Sequence, residues 1–446
     1  MSLTITDSQQ YHINELVIVS KIGNVNIVPI FSEINIYDSV YMPVMSGNIV
    51  IDDSTGLSSK LLFDGSETLL LDICKSEGSE IGQIKKAFRI YKQSNRVSEG
   101  ESKEKYVLNF VSDEFIFSDQ QRVNQSYRMP YVKMVERILI DYLKVPPSNL
   151  GGIYEQTAGV RDVIIPNLTP IEAIKWVMRK SVNMDNSPSF LFFQNMIGYN
   201  FVSLSKLLSE PDILDVRFET KNKNEKGNSF DELSTARAYE IVGQNDIVKK
   251  TRTGVNAGTF IGFDPVTRMI SRRKLSYLDH FENMKHSNRT PNFSSYENKD
   301  GILNSAMYDS RIVLDTFSTA RQLSDYVRTH DPESLIYNSR TEDYAFHRKA
   351  IFENLNSRRV KLIMPGNFQL TSGFNVNLNI PSFGEKDKNE ENRDVSLSGK
   401  YMIVGSRHII NKDQHETIIE VASTTTELDT VISNTKDQRE ALDTYQ

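Results

Sequence analysis

The chain has 446 residues, 39% hydrophobic and 25% charged, with a formal net charge of −6 from 52 basic and 58 acidic side chains. That length exceeds one ordinary hydrophobic core and implies about two to four domains, and the composition excludes a disordered chain. The acidic excess argues against a protein that clamps phosphates through a basic stripe, and it suits a surface that nucleic acid passes without sticking. Cys74 is the only cysteine, which excludes an intrachain disulfide and a thiolate metal cage.

The N-terminus, MSLTITDSQQ, lacks the basic start and apolar core of a signal peptide, and the apolar runs TLLLDI and SFLFF are far too short to span a membrane. The expectation is a chain made and assembled in a reducing cytosol, or one that leaves the cell only by lysis or as part of a particle, with no membrane segment. The first stretch then reads as strands: NVNIVPIFSEINIYDSVYMP, SGNIVIDD, ETLLLDICKS, AFRIYKQS and YVLNFVS, separated by turn-rich or polar clusters. In SGNIVIDD, Ile49 and Ile51 share one face, opposite Asn48, Val50 and Asp52. YVLNFVS reads as a strand buried on both faces. Strands at this spacing predict a small barrel or sandwich over residues 1–118.

Residues 119–211 change character and read as an α/β subdomain. MPYVKMVERILIDYLK carries Val132, Val135, Ile138, Leu139 and Tyr142 at helical spacing, and Pro146 and Pro147 stop it. Thr169, Pro170 and Glu172 make a helix start for a buried stripe of Ile171, Ile174, Val177 and Met178. SFLFFQNMIGYNFVSLSKLL reads as a strand, a turn at Ile197-Gly198, and then a strand or short helix. Residues 212–310 return to strands: DVRFET, AYEIVGQ, VKKTRTG, GTFIGFDP and TRMISRRKLSY, with ENMKHSNRTPNFSSYENKDG as a long polar loop. Residues 311–360 are helical, through TARQLSDYVRTH and DYAFHRKAIFENLNSRRV. Residues 361–430 close a second β-domain, with FGEKDKNEENRDVS as a solvated loop and a final hairpin, and residues 431–446 are a polar tail.

In FNVNLNI, Phe374, Val376, Leu378 and Ile380 occupy one face and Asn375, Asn377 and Asn379 the other. A row of neutral amides offers hydrogen bonds without fixed charge, so these asparagines are a candidate interface face. An ordinary solvated strand face is the equal alternative.

Catalytic constellations are not apparent. HETII begins like a zinc-protease helix, but the second histidine would fall at Ile419, and the segment alternates as a strand. The carboxylate pairs Asp52–Asp53 and Asp113–Glu114 are neighbours in sequence and point to opposite faces of a strand. No phosphate-binding loop or nucleophile elbow occurs, and SRRK at 271–274 reads better as a solvated strand edge than as a phosphate site. No catalytic residue, metal site or cofactor is assigned.

Three segments, in order, resemble the baseplate hub proteins of contractile-tailed bacteriophages, a family related to the hub part of secretion-system spike proteins. The opening run carries Tyr37, Pro43, Gly47, Asp52, Gly65 and Glu67 in the family's style. The middle run IIPNLTPIEAIKWV with FLFFQNMIGYNFVSL resembles its α/β subdomain. KLIMPGNFQLTSGFNVNLNIPS, with the hairpin residues Gly399, Tyr401, His408 and Thr417, resembles its closing β-domain.

The resemblance implies a mainly β fold with an α/β insertion (α+β) and two tail-tube-like β-barrel domains. It implies a non-enzymatic structural virion protein: a homotrimer forming a pseudo-sixfold ring that joins a threefold central spike to a sixfold tail tube, with a channel that DNA passes without specific binding. The implied partners are the spike protein, the tail tube or tube-initiator protein, baseplate wedge proteins and the tape-measure protein. The chain ends soon after the closing hairpin, with no β-helix repeat, so a separate spike polypeptide is expected. A tail-associated cell-wall hydrolase and a receptor- or carbohydrate-binding virion protein are the competing readings. The first needs a carboxylate pair in an open groove, the second an aromatic-lined pocket.

Overall fold

The computed structural model describes residues 10–61, 63–75, 82–98, 103–185, 187–218, 233–243, 246–253, 257–263, 268, 270–276, 286–288, 290–291, 295–298, 301–304, 312–316, 341–356, 358–382, 393–394 and 396–426. The predictions for TARQLSDYVRTH and for the tail 431–446 lie outside these residues, as does most of the charged loop after Ser382.

The fold is mainly antiparallel β. Its centre is a 14-stranded sheet among the described residues, not closed into a barrel. The expectation of two separate barrels is corrected by the pairing: both β-rich regions belong to one ladder. The first half-sheet runs, neighbour to neighbour, through Phe31–Ser39, Ser46–Asp53, Glu104–Val111, Ile84–Ser98, Thr68–Cys74 and His12–Ser20. The second runs from Gly399–Asn411 in two directions. One leads through His415–Ser423 and Arg358–Pro365 to Ala238–Gly243; the other leads through Asn375–Asn379 to Asp212–Phe218.

One strand joins the halves. Gly399–Asn411 is 13 residues long, enough to serve two partners along a single edge. Its first residues, Gly399–Met402, pair with Asn375–Leu378. From Gly405 to Asn411 it pairs instead with Glu33–Ser39 of the first half. The switch falls at a bulge between Ile403 and Gly405 in its pairing with His415–Ser423. Bulges bend a strand and re-aim its edge, which is what exchanging one neighbour for another requires.

Period-2 patterning is obeyed where one face meets core. Ile49 and Ile51 are fully buried with Ile34, Ile36, Leu69, Leu71, Phe88 and Phe110, while Asn48 and Val50 are half-buried and Asp52 is exposed. Glu104–Val111 is less sealed than expected. Tyr106, Leu108 and Phe110 enter the core, but Val107 and Asn109 are only half-buried. Gly47 shows why a glycine stands in this sheet: a Cβ there would lie 2.3 Å from the Asn35 carbonyl oxygen and 2.4 Å from the Phe110 ring.

The middle segment builds a separate core. Helix Tyr131–Asp141 buries Val132, Val135, Ile138 and Leu139, the predicted stripe. Helix Pro170–Lys180 starts with a capping box: Thr169 accepts from the Glu172 amide, and the Glu172 carboxylate accepts from the Thr169 amide. Both pack on the hairpin Phe190–Gln194 and Tyr199–Ser203, whose residues are buried throughout.

Six local readings differ. Asp113 and Glu114, read as strand neighbours, open the helix Asp113–Asp119, and Ile312–Thr316, in the stretch read as helical, is a strand pairing with Ala257–Phe263. His12–Ser20, not assigned from sequence, is a strand pairing with Thr68–Cys74. VKKTRTG is helical over Ile247–Thr253, because the Asp246 carboxylate accepts from the Lys249 amide at 2.8 Å and caps a turn whose β-branched residues suggested a strand. The helix read over 343–360 ends at Leu355, and Arg358 already begins a strand. The polar stretch before Gly301 contains a hairpin, Ser295–Asn298 with Gly301–Asn304.

Gly47→Ala should lower stability by about 1–3 kcal/mol through overpacking against backbone and ring. A shifted urea midpoint at unchanged slope would show it.

Candidate functional site: the junction of the two half-sheets

The polar chemistry of the described residues concentrates where the two half-sheets and the middle segment meet. The loop Gly366–Gly373 lies across this point as a strap. All its residues are buried except half-buried Asn367 and exposed Gln369. Glycines bound it for steric reasons. A Cβ on Gly366 would sit 2.2 Å from the His415 ring. Gly373 has φ +90° and lies against the Phe193 ring.

Under the strap, Asp38 is buried at 4% exposure. It accepts hydrogen bonds from the Thr371 hydroxyl, from the Ser406 hydroxyl at 2.6 Å and from the Ser372 amide at 3.3 Å. Burial pushes its carboxyl above the usual carboxylate range, while these bonds and the Lys86 ammonium pull the other way. Lys86 is half-buried and donates to the Asn195 carbonyl at 2.7 Å. Burial brings its ammonium down to about 8, and Asp38 and Glu114 oppose that. The middle segment is tied in by Asn195, whose side chain donates to the Ser372 carbonyl at 3.0 Å, and by the Met196 amide, which donates to the Thr371 hydroxyl at 3.2 Å.

The chain of bonds continues into two imidazoles. Ser406 lies 3.3 Å from His408 Nε2. His408 Nδ1 lies 3.1 Å from the Thr417 hydroxyl and 3.3 Å from His415 Nε2. Both histidines are 0% exposed. Phe368, from the strap, packs on both rings with centroids 5.1 and 4.4 Å away.

The motif residues singled out in the sequence serve the architecture. His408 and Thr417 face each other across the final hairpin. Tyr401 donates to the Leu397 carbonyl at 2.8 Å, and Gly399 has φ +127°. Glu67 accepts from the Gly65 amide at 3.0 Å, and Gly65 has φ +88°. Arg407 stands over the Tyr37 ring at 5.6 Å.

The asparagine row splits. Asn375 is sealed and donates to the Leu207 and Glu210 carbonyls at 2.7 and 2.8 Å, so it satisfies the end of the short helix Leu204–Ser209. Asn377 is half-buried and donates to Asp215 at 2.8 Å; Asn379 is exposed. Alternation alone could not separate an amide needed by a helix end from one left to solvent.

The carboxylate pairs lead apart. Asp53 is buried and holds the turn at Thr55–Ser58, and Asp52 meets Lys105 at 3.5 Å on the surface. Asp113 meets Arg89 at 2.9 Å, and burial raises the neighbouring Glu114 carboxyl. His415 lies on a strand, as its alternation indicated. A polar cleft of about 350 Å³ opens between Glu155, Asn183, Met184, Asp185 and Lys206. No group of His, Cys, Asp and Glu among the described residues is arranged to hold a metal ion, and no described helix is long and apolar enough to cross a membrane.

No protein-family model matches the chain, and no curated protein sequence matches it. Solved structures do. The 43 kDa tail protein of prophage MuSo2 from Shewanella oneidensis aligns with a TM-score of 0.51 at 8% identity, over 93% of this chain and 99% of that one. The tail protein from Neisseria meningitidis MC58 aligns at 0.49 and 10% identity, over 93% and 96%. The likeness to the MuSo2 protein gives the chain the fold of a prophage tail protein, along almost the full length of each, in keeping with the sequence resemblance to baseplate hub proteins.

Asn375→Leu should cost about 1–3 kcal/mol, because the carbonyls of Leu207 and Glu210 lose their donor. Asn379→Ala should stay within about 0.5 kcal/mol. Paired denaturant titrations distinguish the two roles.

Proposed function

We propose that the chain is a structural, non-enzymatic component of a phage tail: the baseplate hub. In this reading three copies form a ring, and each copy contributes its two half-sheets as tail-tube-like modules. Six modules then meet a sixfold tube while the three chains meet a threefold central spike. DNA passes through the middle without specific binding. Wedge, tape-measure and tube or tube-initiator proteins would be its other neighbours in the virion, after assembly in the host cytoplasm. Residues 1–118 and the segments 212–310 and 361–430 are the proposed modules, with 119–211 as an α/β subdomain and 311–360 as a linking segment. Asn377 and Asn379 are the members of the amide row available to a channel or a neighbouring subunit.

The observation that carries the reading is the single ladder holding two β modules in one chain. A rigid pair of modules is what converts threefold into sixfold symmetry. The likeness in fold to a tail protein supports it, and so does the way the acidic pairs are spent in separate structural bonds.

Native mass spectrometry of the chain, alone and co-expressed with the spike polypeptide encoded beside it, tests the reading. The expected assembly contains three chains of 51.0 kDa, about 153 kDa before the spike is added. A protein monomeric in both conditions that clears peptidoglycan would overturn it.

A further inference from the structure

The strap Gly366–Gly373 closes over two buried imidazoles that have no use for a second proton. The hydrogen-bond geometry fixes their tautomers. Ser406 gives its proton to Asp38, so its oxygen accepts from His408, which must carry the hydrogen on Nε2. His408 Nδ1 is then an acceptor, serving the Thr417 hydroxyl and His415 Nε2. The Thr417 oxygen accepts from the Asn367 amide of the strap at 3.0 Å, so its proton is the one directed at His408. His415 therefore also carries its hydrogen on Nε2, and its Nδ1 has no partner among the described residues.

A proton added to His408 Nδ1 would face two donors. One added to His415 Nδ1 would point into the packed backbone at Gly366. Both rings are closed off from solvent while the strap is down, and no counter-charge faces either imidazolium among the described residues. We propose that the strap is an acid-released fastener: protonation of His408 and His415 lifts Gly366–Gly373 from the junction and loosens the seam between the two half-sheets.

The other charged groups around the pair do not supply this effect. Asp38, reached through Ser406, is shifted upward by burial, so acid favours its closed form. Lys75 lies near His415 and only adds positive charge to it. Lys86 faces Asp38, and its value of about 8 leaves it protonated in acid in either state. Tyr11, edge-on to His415, is pushed up to about 12 by burial and by Asp413. Arg407 and its partner Asn35 lie on the alternate face of the ladder.

Burial pushes His408 down to about 3. Burial likewise lowers His415 well below the ordinary range, with His408 and Lys75 adding to the shift. The open state takes up protons below the ordinary histidine value near 6.5 while the closed state does not. Closure is therefore fully favoured above that pH and weakens as pH falls through it. Each histidine can raise the opening equilibrium up to about tenfold per pH unit.

Hydrogen exchange of the intact chain, corrected for intrinsic pH effects, tests this between pH 7 and pH 5. The amides of Gly366, Asn367, Ser372 and Gly373 and of the seam Glu33–Ser39 should open at least tenfold more at pH 5, while those of Thr68–Cys74 hold. His415→Phe, which keeps the stack on Phe368, and His408→Gln should each flatten the pH dependence. Equal slopes in wild type and either folded variant would overturn the proposal. So would a flat wild-type profile, or acid opening no greater at the strap than at Thr68–Cys74, and the wild-type measurement alone decides if neither variant folds.

Discussion

Everything in this structure depends on one strand changing partners. Gly399–Asn411 spends its first residues on Asn375–Leu378 and its remainder on Glu33–Ser39. The same strand keeps His415–Ser423 along its other edge, with a bulge where the exchange occurs. Sheets bury their polar backbone only by pairing, so a strand that serves two half-sheets ties their positions through main-chain bonds and not merely through side-chain contact. Gly405 sits at the exchange, opposite Ser39 of the first half-sheet.

The strap and the buried polar chain follow from that constraint. Joining two half-sheets leaves a seam whose polar groups must be satisfied away from water. Asp38, Ser406, His408 and Thr417 satisfy one another along it, and Thr371, Ser372 and Phe368 cover them. The middle segment reaches the same point through Asn195 and Met196. The two half-sheets and the middle segment thus meet at one hydrogen-bonded node.

Much of the fold was legible in the sequence where a single local rule governs. Helix periodicity placed Val132, Val135, Ile138 and Leu139, capping chemistry placed Thr169 with Glu172, and alternation placed Ile49 and Ile51. The failures have two causes: long-range pairing that local pattern does not show, and a local cap that outweighs β-branched composition. His12–Ser20 is a strand because Thr68–Cys74 lies beside it, not because its own alternation is strong. VKKTRTG became helical through the cap from Asp246. The junction was invisible because Asp38 and Asn195 reach it from far away in sequence, and its members are individually unremarkable in type. The motif positions His408 and Thr417 were marked by resemblance alone; their pairing across the hairpin is what explains them. The amide row was read correctly as one face, but which member the helix end would claim required the fold.

A chain that fixes two sheet modules rigidly together suits a part that must match a threefold object to a sixfold one. The most direct measurement is a cryo-EM reconstruction of the chain bound to its co-expressed spike. The account predicts three copies around an open axial channel, with six half-sheets at near-equal angular spacing and Glu33–Ser39 still paired to Gly405–Asn411 inside each copy. A ring built from six copies, or one in which the two half-sheets of a chain separate or point away from the channel, would contradict it.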